Sequence, residues 1–301
     1  MYLSPSEVRV SSATENVIQI IGELRPQLHR YCARLVGSVV DGEDIVQESI
    51  LKALEALAKN GTIANPEGWL FRIAHNSALD FLRQRSRQTA RHSEREVDTI
   101  ADPNAATDRA DAAAATLRTF MRLPMAYRIT VILKDVLGYS VQEICDITEM
   151  SLPAAKSALH RGRLRLRELA QEPLETRIPT LDRQERLRLT NYVERFNARD
   201  FDAVRDLLAE DVQLEMVNKT RMKGRVEVGQ YFSNYTRLSD WTCVPGWVEQ
   251  QPAIIVKTSA MSSNDPAYFI FLRWSGDHVT AIRDFAHARY ALEGADIIET
   301  M

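Results

Sequence analysis

Residues 123–167, LPMAYRITVILKDVLGYSVQEICDITEMSLPAAKSALHRGRLRLR, leave few folds open. The pattern is helix, helix, tight turn, helix. Ser140 followed by Glu143 spells a capping box, in which the hydroxyl takes an orphan amide of the first turn and the carboxylate reaches back. Ile144 and Ile147 then make a short apolar stripe. The periodicity breaks over 148–151, Ser151 is placed to cap the next helix, and Pro153 falls in that helix's first turn, where its missing N–H costs nothing. The last helix sets Lys156, His160, Arg161, Arg163, Arg165 and Arg167 around Ala155, Leu159, Leu164 and Leu166. Two helices joined by a tight turn, the second basic, follow the helix-turn-helix plan, whose second helix enters the major groove. A charged, solvated helix at the edge of a bundle is the plain alternative. The capping box, the short turn and the cation cluster together outweigh it.

This stretch resembles the promoter-binding region 4 of the extracytoplasmic-function sigma factors. The residues that carry the resemblance are Leu123-Pro124, Arg128, Gly138-Tyr139-Ser140, Glu143-Ile144, Ser151 and the run Lys156-Ser157-Ala158-Leu159-His160-Arg161-Gly162-Arg163. It implies that Lys156, Ser157, His160 and Arg161 read a minus-35 element. Arg163, with Arg165 and Arg167, would meet phosphates, which position a protein on DNA without specifying sequence.

A formal net charge of −3 argues at first against a nucleic-acid partner, but the charges are segregated. Residues 151–170 hold Lys156, Arg161, Arg163, Arg165 and Arg167 against Glu168 alone, and 83–95 hold Arg83, Arg85, Arg87, Arg91 and Arg95 against Glu94. Local basic stripes, not the sum, set phosphate affinity.

Upstream, Val17, Ile20, Ile21, Leu24, Leu28, Tyr31 and Leu35 recur at helical spacing from about Asn16 to Val40, with Pro26 inside the helix or dividing it. Asp41-Gly42-Glu43-Asp44 reads as a helix start, and Val46, Ile50, Leu54 and Leu57 give that helix a buried stripe. Asp44, Gln47 and Glu48 share its other face by spacing. Asn60-Gly61 marks a turn, and Asn65-Pro66 caps and opens the next helix, with Leu70, Ile73, Ala74, Ser77 and Phe81 inward. Arg72, Asn76, Arg83 and Arg87 lie along one outward stripe, while Trp69 suits either core or surface. Here the chain is similar to sigma region 2. The run Asp44-Ile45-Val46-Gln47-Glu48 matches the surface that docks on the clamp coiled coil of RNA polymerase. Trp69-Leu70-Phe71-Arg72-Ile73-Ala74, Asn76, Asp80 and Arg83 match the helix that melts the minus-10 element. Cations for phosphates and surfaces for unstacked bases are what single-stranded DNA requires. The resemblance also implies capture of a flipped base by the loop 59–65.

Residues 88–115 lack an apolar stripe and read as a linker between two modules able to address separate promoter elements, with the affinity gain that tethering brings. A second linker, 171–180 with Pro173 and Pro179, leads to a third unit at 181–301. There a helix through Leu187, Tyr192, Val193 and Phe196 and a shorter one at 201–209 come first. A strand at 212–216 and a helix at 226–235 follow, then four strands at 241–248, 253–259, 267–274 and 279–285 of an antiparallel sheet. Helices first and strands afterwards indicate an α+β domain. It resembles the SnoaL-like, ketosteroid-isomerase-like cone in Asn197-Ala198-Arg199-Asp200-Phe201-Asp202 and Leu207-Leu208-Ala209-Glu210-Asp211-Val212. Tyr192 stands about where the isomerases carry their oxyanion tyrosine, and Met216 where they carry a basic aspartate. A thioether takes no proton, and Asp240, Asp284 and His287 are single groups of a kind usually found at surfaces or satisfied. No catalysis is therefore expected of this unit, and the resemblance implies a regulatory extension contacting the sigma domains.

The expected fold is thus multidomain: two all-α sigma domains, at 1–87 and 116–170, and an α+β SnoaL-like cone. The expected function is directing RNA polymerase core to promoter DNA, without cofactor or metal. Cys32, Cys145 and Cys243 show no metal-ligand spacing, and Cys145, among Ile144 and Ile147, reads as a small core residue. No run approaches the roughly 18 apolar residues of a membrane span. The N-terminal residues lack the basic-then-apolar design of a signal peptide, so a cytoplasmic location is expected. Two rival readings are a helix-turn-helix repressor that never touches polymerase, and a bifunctional protein whose cone is an enzyme.

Overall fold

In the computed structural model the described residues are 12–60, 63–89, 112, 115–172, 180–235, 240–258 and 265–299. Most of the first expected linker, with Arg91 and Arg95, lies outside them, as do 61–62 of the expected base-capture loop and 173–179 of the second linker. The chain divides into two compact units, Met1–Pro173 and Leu174–Met301. Among the described residues no helix is long and apolar enough to cross a membrane, and no cluster of three His, Cys, Asp or Glu residues is placed to hold a metal ion.

The first unit is all helical: α1 (Ser12–Val36), α2 (Val39–Asn60), α3 (Pro66–Thr89), α4 (Leu117–Met121), α5 (Met125–Val131), α6 (Val141–Thr148) and α7 (Leu152–Gln171). Helix α1 runs unbroken through Pro26. The carbonyl four residues back belongs to solvent-exposed Gly22, where water can replace the lost N–H. Helix α2 begins two residues before the expected acidic start, because the Ser38 hydroxyl accepts from the Asp41 amide at 3.1 Å. Gly42 is where α2 crosses α1; a Cβ there would lie 2.7 Å from Ala33 backbone atoms. After α5 the chain widens into one π turn, Ile132–Val136.

The two helical modules do not stand apart. A single apolar core joins Leu28, Leu35, Leu70 and Phe71 of the first three helices to Phe120, Leu123, Ile132, Ile144 and Leu159 of the stretch from α4 to α7. In this state the two modules of the sequence reading pack together and share that core. The second module carries apolar faces beyond those its own short helices cover, and burying them against α1 and α3 removes that surface from water. Arg128 fastens the junction. It is buried, and its guanidinium donates to the carbonyls of Leu35 (2.7 Å), Leu123 (2.9 Å) and Met121 (3.0 Å). Burial lowers its pKa to about 10, so it stays charged at neutral pH.

The second unit is α+β: α8 (Arg183–Asn197), α9 (Phe201–Asp206), β1 (Leu208–Met216), β2 (Thr220–Lys223), α10 (Arg225–Tyr235), β3 (Trp241–Val248), β4 (Gln251–Thr258), β5 (Tyr268–Ser275), β6 (His278–Asp284), a 3₁₀ turn (Arg289–Leu292) and β7 (Ile297–Glu299). The seven strands form one sheet in the order β2-β1-β6-β5-β4-β3-β7. It is mixed: β1 pairs parallel to β6, with Met216 opposite Asp284, and the remaining pairs are antiparallel. The expectation of an antiparallel sheet fails at that one pair. Helix α9 also ends earlier, and β1 begins earlier, than the pattern suggested.

The Asn197–Asp200 run has structural work. Asn197 pairs with the backbone of Cys243 like a strand residue, donating to its carbonyl at 2.8 Å and accepting from its amide at 2.9 Å. Arg199 lays its guanidinium 3.3 Å from the centre of the Trp241 ring. The Asp200 carboxylate accepts from the Ala203 amide at 3.1 Å and caps α9.

Candidate nucleic-acid interface

The local chemistry read in the sequence sets up α6 and α7. The Ser140 hydroxyl accepts from the Glu143 amide at 3.2 Å, and the Glu143 carboxylate accepts from the Ser140 amide at 2.7 Å, closing the capping box. Those bonds hold the Glu143 carboxyl below its ordinary pKa. Glu149, left-handed at φ 61°, ends α6, and the Ser151 hydroxyl caps α7 at the Ala154 amide. Gly162 lets α7 lie close on α5, since a Cβ there would stand 2.7 Å from Val131 Cγ2.

The first half of α7 is bare: Leu152, Pro153, Lys156 and Ser157 are exposed, and Ala155, Ala158 and Leu159 face inward. In helix-turn-helix proteins generally, that end of the second helix is the one that meets base edges. His160 and Arg161 follow, half-buried, with an Arg161 nitrogen 3.5 Å from the Tyr127 hydroxyl. His160 Nε2 is buried without a hydrogen-bond partner in this state. Arg163 points elsewhere. Its Nε and Nη2 donate to the two oxygens of Asp135 at 2.9 and 2.6 Å, and that carboxylate is wholly buried. Sequence reasoning grouped Arg163 with the phosphate-binding arginines because its partner lies 28 positions away. The available signal was Asp135 itself, an acid inside the apolar run ILKDVL.

On α3, Arg72, Asn76, Arg83 and Arg87 are all exposed on one side, as the spacing required. Arg83 holds Asp80 one turn back at 3.1 Å, an exposed pair worth little. Arg72 donates to the carbonyl of Asp146, on α6, at 2.6 Å. Trp69 is half-buried and packs on the core, so it belongs partly to each of its two readings. Below the stripe, His75 is buried and its Nδ1 sits 2.7 Å from the Tyr31 hydroxyl. Burial lowers the His75 pKa to about 4.

On α2, Asp44 and Glu48 are exposed and Gln47 half-exposed on one face, with Glu48 holding Lys52 at 2.7 Å. Leu51 and Leu54 continue that face as exposed apolar side chains, so Leu54 does not belong to the buried stripe expected of it. Glu43, on the opposite side, is wholly buried and paired with Arg25.

In the second unit, Tyr192 and Met216 both lie in the core and are not surface groups. Tyr192 stacks on Phe196 and meets the edge of Trp274, and burial raises its pKa. The polar centre of this core is Asp284. It is buried, takes hydrogen bonds from the hydroxyls of Tyr231 and Tyr235 (3.1 Å for the latter), and takes another from the Ala286 amide at 2.7 Å. Burial raises its pKa despite those donors. Asp240 and His287 are exposed. Among the cysteines, Cys32 and Cys243 are buried, whereas Cys145 is only half-buried.

Comparison with known proteins matches residues 20–88 to the Sigma-70 region 2 family and residues 114–166 to the Sigma-70 region 4 family. The chain is 31% identical over 163 residues to the ECF RNA polymerase sigma factor SigE of Mycolicibacterium smegmatis, covering 52% of this chain and 63% of that protein. It thus spans a little under two thirds of that relative's length. It is 31% identical over 143 residues to the ECF RNA polymerase sigma factor SigM of Mycobacterium tuberculosis, covering 48% of this chain and 71% of that one. Among solved structures, the Mycobacterium tuberculosis extracytoplasmic function sigma factor SigJ aligns over 89% of this chain and 95% of its own, at 20% identity and a TM-score of 0.35. A putative ketosteroid isomerase from Kribbella flavida aligns over 34% of this chain and 76% of its own, at 20% identity and a TM-score of 0.28.

Proposed function

The chain belongs to the extracytoplasmic-function RNA polymerase sigma factors, and on that footing we propose that it directs the polymerase core to specific promoters in the cytoplasm and starts transcription there. Asp44, Gln47 and Glu48 on α2 dock on the core enzyme. Arg72, Asn76, Arg83 and Arg87 on α3 hold the opened minus-10 element. Lys156, Ser157, His160 and Arg161 on α7 read the minus-35 element in the major groove. Arg163 is left out of that set because it is committed to Asp135. The loop around Asn65 completes the minus-10 site by taking an extruded base.

One observation carries the reading: the first unit presents two unlike faces, acids along α2 and cations along α3 and the open half of α7. A repressor needs only the cations. An acidic face beside them has a use where a second, basic surface must be recruited to the same DNA.

The second unit tunes initiation, through contact with the first, and does not act as an enzyme. Supporting this, Met216 offers no base, and the Tyr231 and Tyr235 hydroxyls are already bonded to Asp284.

The test adds the purified full-length chain to core polymerase on fragmented genomic DNA and maps the starts. Initiation at a restricted set of starts, absent with core alone, is the expected result. Binding to DNA without any polymerase-dependent start would replace the proposal with the repressor reading.

A further inference from the structure

Helix α7 begins on an apolar tip. Ser151 makes the cap, its hydroxyl accepting from the Ala154 amide at 3.4 Å, and Leu152 and Pro153 are the first two residues of the helix. Both are exposed, Leu152 at 40%. The other leucines of α7 behave differently: Leu159, Leu166 and Leu169 are buried and Leu164 is half-buried. Leu152 stands outside the apolar core of its unit. The cap holds this end without it, and a hydrophobic staple would use the residue before the cap and the fourth of the helix, Met150 and Ala155, not the first. The helix's own folding does not call for a large apolar side chain there.

Side chains four apart stack on one face of a helix. Leu152, Lys156 and His160 therefore form one row, and Pro153, Ser157 and Arg161 a second beside it. Each row has its apolar member at the N-terminal end and its polar members behind. Exposure falls along both rows, from open at 152–157 to half-buried at His160 and Arg161. In the major groove a lysine suits the O6 and N7 acceptors of guanine. An apolar tip suits the apolar group that the same groove displays, the C5 methyl of thymine. A lone exposed leucine elsewhere would need no explanation; this one heads the rows assigned to base edges.

We propose that Leu152 is a specificity-determining residue that packs on a thymine methyl group in the minus-35 element, so that an A·T pair is selected there without a hydrogen bond. The inference rests on the reading of α7 as the minus-35 helix and adds to it a named base. Pro153 extends the apolar surface at the same end. Four residues of helix rise about 6 Å, and successive base pairs are about 3.4 Å apart. The thymine therefore lies within about two base pairs of the base that Lys156 contacts.

The test uses the full chain with core polymerase and a promoter duplex taken from a mapped start. If no start maps, a duplex selected from random sequence by the chain alone takes its place. Each thymine of the minus-35 element, on either strand, is replaced singly by deoxyuridine, which lacks the methyl and keeps every hydrogen-bonding group. With the native chain one replacement should weaken binding roughly 4-fold, the worth of burying one methyl-sized group. Leu152→Ala should bind the thymine duplex more weakly by about the same factor and no longer respond to deoxyuridine at that position. Leu152→Met should keep the response. Lys156→Ala should bind more weakly yet still respond. A native chain indifferent to every replacement, or a Leu152→Ala variant that responds as the native chain does, would overturn the methyl contact. Failure of the underlying minus-35 reading looks different: Lys156→Ala would then bind the duplex as tightly as the native chain, whatever the thymines show.

Discussion

Arg163 grips Asp135 with two parallel hydrogen bonds, 2.9 and 2.6 Å, across the face where α7 lies on the turn that follows α5. The carboxylate is wholly buried and the guanidinium largely so. Breaking such a pair leaves an uncompensated charge inside the protein. Arg163→Ala should therefore lower the stability of the first unit by about 3 kcal/mol, read by urea denaturation. Below its unfolding range, the variant's promoter affinity should keep the native dependence on salt. A weaker salt dependence with unchanged stability would return Arg163 to the DNA-contacting set.

Lys156 is the opposite case, exposed on the bare half of α7. Lys156→Ala should leave stability within about 0.5 kcal/mol. It should weaken promoter binding and reduce the salt slope of log K by about 1. Asp44→Ala combined with Gln47→Ala should reverse the pattern, losing association with core polymerase while DNA binding by the chain alone persists. If both variants lose the same function, the division between α2 and α7 is wrong.

Gly162 is a matter of space. A methyl group there would stand 2.7 Å from Val131 Cγ2 and 3.1 Å from the Tyr127 carbonyl oxygen. Gly162→Ala gains helix propensity, yet the clash with α5 outweighs it, and the net loss should be about 1 to 3 kcal/mol. A variant more stable than the native chain would show that α7 slides freely on α5.

The helical unit was largely legible because its core residues recur at helical spacing and its caps are local: Ser140, Glu143, Ser151 and Asn65 all act within four residues. What was hidden depends on partners far along the chain. Nothing near Arg163 distinguishes it from Arg165, which holds Glu168 at the surface; the difference is Asp135. The contact of Tyr139 with Glu67 spans 72 positions, and the shared core of the two modules is likewise non-local. In the second unit the alternation of residues gave strands but not their neighbours, so the parallel pairing of β1 with β6 went unread. The edge strands are short, β2 mostly exposed and β7 only three residues long, so neither carries much apolar alternation to notice.

His75 makes the first unit acid-sensitive. Its folded pKa, lowered by burial to about 4, lies below the ordinary 6.5. Between those values the unfolded chain binds the proton and the folded chain does not, so stability rises with pH across that window. It is fully present above 6.5 and is lost as pH falls toward 4. Each pH step of one across the window removes about 1.4 kcal/mol, so the whole loss comes to roughly 3 kcal/mol. His29, also buried and also lowered, adds in the same direction. Denaturation midpoints from pH 7 to 4 should fall, and His75→Gln should flatten the curve. A curve unchanged by that substitution would mean that His75 does not set the acid sensitivity of this unit.

A chain ending at Glu172 isolates what the second unit contributes. Among the described residues the two apolar clusters share no member, so the helical unit has a core of its own. Glu172 is retained because it pairs with Arg122 and caps the end of α7. The shortened chain should therefore unfold in a single cooperative transition. Every residue assigned to polymerase or promoter lies before the cut, so its transcription starts should be those of the full chain. On the proposed tuning role of the second unit, the number of transcripts per start should change. Start sites that move would place promoter recognition partly in the cone. Equal output from both chains, at matched occupancy of core, would leave the cone without a regulatory role and return attention to the buried Asp284 and the tyrosines bonded to it.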